Sequence, residues 1–296
     1  MTTKDLLQNI IAGDFKTLSR AISKIENDNC DDLLKLLPSS NKKILGITGP
    51  PGAGKSTLVN CLISEYIQQG KKIGVLCIDP SSAFTHGALL GDRIRMNKWF
   101  NHPDVYIRSL ASRGNMSGLH PFIIEITDVM KAAPFDKIII ETVGVGQTET
   151  EIAALADTTV VVLVPEAGDE IQTMKAGLME IADVFVVNKS DRPGVDKFVK
   201  DLSAMLAPAF QLKQKEIPVI KTIATENIGI NELIEKIDLV ENAYDANKKI
   251  ELLAEKMFKL IQQKRMRDIN KDILIADLTE AYKNPGFNLY KLAEKY

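Results

Sequence analysis

Nine consecutive residues, Gly49-Pro50-Pro51-Gly52-Ala53-Gly54-Lys55-Ser56-Thr57, carry the densest chemistry of the chain. Their types and spacing read G-x-x-x-x-G-K-[ST], a phosphate-binding loop. The glycines let successive backbone N–H groups turn toward one point and cradle phosphate oxygens. A helix beginning inside the motif adds its positive end. In such a loop Lys55 reaches the β- and γ-phosphates, and the Ser56 hydroxyl is an oxygen ligand for Mg2+. A second motif, Asn188-Lys189-Ser190-Asp191, reads N-K-x-D. The Asp191 carboxylate can accept hydrogen bonds from guanine N1 and N2. Adenine has no donor at either place and would leave the carboxylate buried and unpaired. In this motif the asparagine braces the loop and the lysine stem packs on the base. GTP is the expected ligand, with Mg2+.

Both motifs need particular elements to position them. Lys43–Thr48 reads as a short buried strand and Leu58–Gln69 as a helix, the flanks that a phosphate loop requires. Further apolar strand candidates are 73–78, 105–109, 137–140, 159–164, 183–188 and 217–222. Helical stretches separate several of them. Continuous apolar runs such as Val160–Val164 suit strands covered on both faces. The pattern predicts an α/β fold with a doubly wound, mostly parallel sheet, whose ligands lie at the carboxyl ends of the strands. N-K-x-D falls at such an end. So do three polar or glycine-rich segments: 79–96, 141–149 and 165–172. They look like loops that sense the γ-phosphate and its metal. Three parts are expected: a helical N-terminal subdomain over 1–40, the nucleotide domain over 41–240, and a helical C-terminal arm over 241–296.

The strings D-P-S-S…G-D-R-x-R-M from Asp79, E-T-V-G-V-G-Q from Glu141 and A-G-D-E-I-Q from Ala167 join the two motifs above in one order. Together they resemble the MeaB/ArgK family, the GTPases associated with methylmalonyl-CoA mutase, which includes the human methylmalonic aciduria type A protein. The resemblance extends to Gly13–Ile22 and Ser112-Arg113-Gly114, and covers about residues 10 to 235. It implies a P-loop GTPase that chaperones an adenosylcobalamin-dependent acyl-CoA mutase. Such a protein gates cofactor delivery, protects or reactivates the mutase, and hydrolyses GTP faster with its partner. It also implies a homodimer, joined through the C-terminal arm.

Carried over residue by residue, Gly49 to Thr57 hold the phosphates. Ser56, Asp79, Asp92 and Glu141 surround the metal, and Gly144 offers its N–H to the γ-phosphate. Asp191 reads the base. The backbone of Ile223-Ala224-Thr225, through Ala224, meets the guanine O6. Lys175 lies in a loop that answers to the mutase. By analogy with other GTPases, Gln147 orients the attacking water, so Lys55, Glu141 and Gln147 form the expected catalytic set. Two departures stand out. His86 replaces a small residue, and Ile223 replaces a serine whose hydroxyl would brace the base loop.

Composition narrows the alternatives. A net charge of −2 implies no general affinity for nucleic acid or anionic membranes. No apolar run approaches the ~20 residues that span a bilayer. The N-terminus lacks a signal-peptide core, and the three scattered cysteines read as buried thiols, so a cytoplasmic protein is expected. His86, His102 and His120 read as ordinary surface or loop histidines. Trp99 reads as core, and Arg93, Arg95, Arg108 and Arg113 as either structural ion pairs or phosphate contacts. A metal-delivery GTPase of the nickel type would need a His-rich tail or a C-x-x-C site, and the chain has neither. A small-substrate kinase is the other alternative, disfavoured by N-K-S-D.

Overall fold

The computed structural model describes residues 1–27, 30–79, 96–112, 119–142, 151–167, 179, 181–213, 217–243, 246–266, 268–284 and 286–296. Its strands are β1 Ile44–Thr48, β2 Ile73–Asp79, β3 Val105–Ala111, β4 Lys137–Glu141, β5 Thr158–Leu163, β6 Val184–Val187 and β7 Val219–Lys221. Its α-helices are α1 Thr3–Ile11, α2 Phe15–Glu26, α3 Asp31–Leu34, α4 Lys55–Gln68, α5 Ile123–Ala132, α6 Val195–Lys213, α7 Ile230–Asn242, α8 Ala246–Arg265, α9 Lys271–Ala281 and α10 Leu289–Ala293.

The seven strands form one sheet in the order β3-β2-β4-β1-β5-β6-β7, and every adjacent pair is parallel. β1, β4, β5 and β6 are buried along their whole length, as their unbroken apolar runs require. Alternate side chains face opposite layers. Val160, Val162, Val184 and Val186 pack with Leu58, Leu62 and Tyr66 of α4 and with Ile230, Leu233 and Ile237 of α7. Val161, Leu163, Phe185 and Val187 pack with Phe198, Leu202 and Leu206 of α6. From β1 the chain first builds the β2–β3 edge, returns to β4, and then crosses to β5 on the other flank. The carboxyl ends of β4, β1 and β5 therefore frame the crevice where such sheets bind ligands.

At the N-terminus, Thr2 and Asp5 form a capping box on α1. Gly13 (φ 89°) breaks the chain, and Asp14 caps α2. These helices and α3 pack against α5. Phe15 of α2 stacks on Phe135 (centroids 5.5 Å apart) and lies against Tyr106 of β3 at 5.4 Å. Residues Met1–Asp245 form one compact unit and Ala246–Tyr296 a second. Within the second unit, α9 and α10 bury no side chain. Ile250, Leu253, Met257 and Ile261 recur on α8 at helical spacing and stand exposed.

Three sequence expectations change. β7 is shorter than 217–222, and Pro218, which has no N–H to give a ladder, lies just before it. Cys77 is buried, but Cys30 and Cys61 are half-buried thiols. His120 lies in a loop, as expected, but is buried there: its Nδ1 accepts the Phe122 N–H at 3.1 Å, and its Nε2 lies 3.9 Å from Glu26 Oε1. The same Glu26 binds the Arg108 guanidinium, so that arginine belongs to an ion pair of the N-terminal helices. Trp99 is core, as its spacing suggested, with its indole N–H donated to Asn60 Oδ1 at 3.0 Å.

Candidate nucleotide-binding site

The predicted phosphate loop leaves the carboxyl end of β1 and enters α4 at Lys55. Gly49 has φ 139° and Gly54 φ 91°, backbone that L side chains rarely adopt. A Cβ on Gly49 would fall 2.1 Å from the Val162 carbonyl oxygen, and one on Gly54 would fall 2.3 Å from Asn188 Nδ2. Both glycines are thus dictated twice, by torsion and by space. Gly54 is also the N-cap of α4 and gives it no side-chain cap, and the N-terminus of such a helix favours an anion. Pro51, Gly52 and Thr57 are exposed, Pro50 is half-buried and Ala53 is buried. Lys55, itself buried, donates from Nζ to the carbonyl oxygens of Gly49 (2.8 Å) and Pro50 (3.0 Å), which arches its cation back over the loop.

One residue further, the Ser56 hydroxyl donates to Glu141 Oε1 at 2.5 Å. Glu141 ends β4, and Asp79 ends the adjacent β2, two residues past the Cys77–Glu141 register pair. All three side chains are buried. A hydroxyl and two carboxylates at the ends of neighbouring elements form a set of hard oxygen donors, the kind magnesium takes. Thr142, next in the chain, joins its hydroxyl to that of Thr48 at 2.9 Å and donates its N–H to Ile47. This fixes the end of β4 against the start of the phosphate loop. Asp92, Gly144, Gln147 and Lys175, with Arg93, Arg95, Arg113 and His86, lie outside the described residues.

Asn188 organises the base side. Its Nδ2 donates to the Ala53 carbonyl (2.9 Å), while its Oδ1 accepts from the Thr222 hydroxyl (3.1 Å) and from the Ala224 N–H (3.2 Å). One buried amide therefore ties the phosphate loop, N-K-S-D and the 222–224 segment together. Lys189 sits at φ 57°, a left-handed conformation that a lysine seldom holds without reason. The Ser190 N–H donates to the Thr222 carbonyl, and Asp191 is exposed beyond that turn. Ile223 is half-buried and Thr225 exposed. Thr222, one residue before Ile223, gives its hydroxyl to Asn188. Thr222 and Thr48 carried little signal in the sequence, only a polar residue at or just past the end of an apolar strand.

Among the described residues no helix is long and apolar enough to cross a membrane, and no three His, Cys, Asp or Glu side chains gather as a metal site.

A family model described as methylmalonyl-CoA mutase-associated GTPase MeaB matches residues 18–281. A Pyrococcus abyssi protein named as an inferred GTPase is 47% identical over 241 residues, 79% of this chain and 74% of that one. GTPase ArgK of Escherichia coli is 37% identical over 198 residues, 64% of this chain and 60% of its own. A fused isobutyryl-CoA mutase of Geobacillus kaustophilus is 34% identical over 268 residues, 84% of this chain but 25% of that longer one. A crystal structure described as a LAO/AO transport system kinase superposes with a TM-score of 0.66 at 24% identity, covering 99% of this chain and 96% of that one. That last likeness is one of fold.

Proposed function

The chain belongs to the MeaB family and is a GTPase, and from that premise we propose that its hydrolysis gates adenosylcobalamin delivery to a cobalamin-dependent acyl-CoA mutase. One observation carries the partner: most of this chain matches a segment of a protein named as a fused isobutyryl-CoA mutase. Two functions joined in one polypeptide elsewhere are plausible partners as separate chains. Methylmalonyl-CoA mutase and isobutyryl-CoA mutase are the two candidates. Protection or reactivation of the same mutase belongs to this reading.

In the proposed site the N–H groups of Gly49 to Thr57 hold the β- and γ-phosphates. Lys55 swings from its two carbonyl partners onto the phosphate oxygens, exchanging neutral acceptors for charged ones. Ser56, Glu141, Asp79 and Asp92 would hold Mg2+, which when bound would offset the charge on the phosphate oxygens. Gly144 offers an N–H to the γ-phosphate, and Gln147 orients the attacking water. Asn188 fixes the loops, Lys189 covers the base, Asp191 reads guanine N1 and N2, and the Ile223–Thr225 backbone meets O6. Glu166, which binds Arg192 of the base loop, and Lys175 belong to the segment proposed to meet the mutase. A cytoplasmic homodimer, joined through the exposed apolar stripe of α8, completes the proposal.

The test pairs two assays. GTP turnover is measured alone and with each purified mutase, and adenosylcobalamin transfer into the apo-mutase is followed by its absorbance with GTP, with GDP and without nucleotide. A rise in turnover and nucleotide-dependent transfer with one mutase support the reading. No change in either assay with both mutases overturns it.

A further inference from the structure

The loop proposed to meet the guanine O6 is held from a second side. Ile223 and Ile228 close it by a pair of backbone hydrogen bonds (3.1 and 3.2 Å), and Asn227 ends its short turn at φ 59°. On one face of this loop, Asn188 accepts the Ala224 N–H. On the other, the carbonyl of the same Ala224 accepts the Cys61 thiol, with Sγ at 2.9 Å. One helical turn along, Glu65 Oε1 accepts from Asn227 Nδ2 at 2.5 Å. Cys61 and Glu65 are i and i+4 on α4, so they present one edge of the helix to one loop. Burial pushes the Cys61 thiol above its ordinary pKa, which keeps its proton available at neutral pH. The helix that makes these bonds is the one whose N-terminus receives the phosphates.

We propose that Cys61 and Glu65 are positioning residues for the base: α4 acts as a strut that sets the distance between the guanine loop and the phosphate loop. Neither side chain needs to touch nucleotide. A GTPase can bind base and phosphate together only if the two subsites are spaced to the length of the nucleotide, and α4, like the Asn188 amide, reaches both. The inference rests on the reading of Asn188–Asp191 and Ile223–Thr225 as the guanine site.

The test uses the full chain and fluorescent GDP. Cys61→Ala and Glu65→Ala are each expected to raise the Kd for GDP about fivefold, the effect of losing one hydrogen bond. Together they should raise it further, and KM for GTP should rise while kcat at saturating GTP holds. Cys61→Ser and Glu65→Gln, which keep a donor and an acceptor, should recover most of the loss. An unchanged Kd in the double variant overturns the strut. So does a loss that kcat shares in proportion, or one that the conservative variants fail to recover. Asp191→Ala is the control on the underlying reading. If Asp191→Ala weakens GDP and the double variant does not, only the strut falls. If neither matters, the guanine-site reading falls with it.

Discussion

In the proposed site Lys55 and Asp191 divide the recognition problem between them, one taking charge and the other taking shape. Lys55 is buried with its cation on two carbonyls, a position it holds at the cost of a hydrated ammonium. Lys55→Ala should therefore cost at least about a hundredfold in GTP turnover, the usual loss when a donor to the reacting phosphate is removed. Single-turnover hydrolysis checks it. Asp191 is exposed beyond a turn that Asn188, Ser190 and Thr222 fix, so its substitution should spare the fold. Asp191→Asn should weaken GTP and shift preference toward xanthine nucleotides, whose C2 carbonyl suits an amide donor. Competition of XTP against fluorescent GDP measures the shift, and an unchanged preference for guanine would refute the role of Asp191. Both motifs were legible because each is local. The hydroxyl of Thr222 was not, because its partner Asn188 follows a different strand, β6.

β4 and α7 are joined at the far end of the sheet from the proposed site. Lys137, the first residue of β4, gives its ammonium to Glu241 (2.7 Å) and Asp238 (2.9 Å) of α7 and lies over the Tyr66 ring of α4. Burial works against that charge, but the two carboxylates more than offset it, and the Lys137 pKa stands above its ordinary value. A raised pKa means stability that is complete below the unfolded pKa and is lost only as pH rises through the folded one. Lys137→Met should thus destabilise the protein by roughly 2–3 kcal/mol, somewhat less than a fully buried pair because Asp238 keeps its contact with water. The cost should be the same at pH 6 and pH 9 in urea unfolding, and a cost that vanished by pH 9 would contradict the ion pair. The strands themselves were readable within a residue or two from their apolar runs. Their order was not, since any buried Val/Ile run satisfies any neighbour.

The whole chain comprises two compact units that differ in kind. Residues 1–245 enclose a two-layered core around the sheet, whereas α8 of the second unit leaves Ile250, Met257 and Ile261 exposed along one stripe. Contiguous exposed apolar patches, when large, mark interaction sites. Ile250→Glu with Met257→Glu should convert a dimer to a monomer in light scattering while GDP affinity is kept, and a chain that is monomeric before the change would refute self-association through α8. The sequence by itself determined the ligand class, the parallel α/β architecture and the family, because phosphate binding and base reading depend on backbone torsions and side chains a few residues apart. Tertiary structure alone decided which distant residues meet. The Asn188 amide reaches Ala53 across 135 residues, Cys61 reaches Ala224 across 163, and Glu26 reaches Arg108 and the buried His120. Such pairs leave no local pattern, since each is a polar residue whose partner is set by the order of strands and the length of a helix.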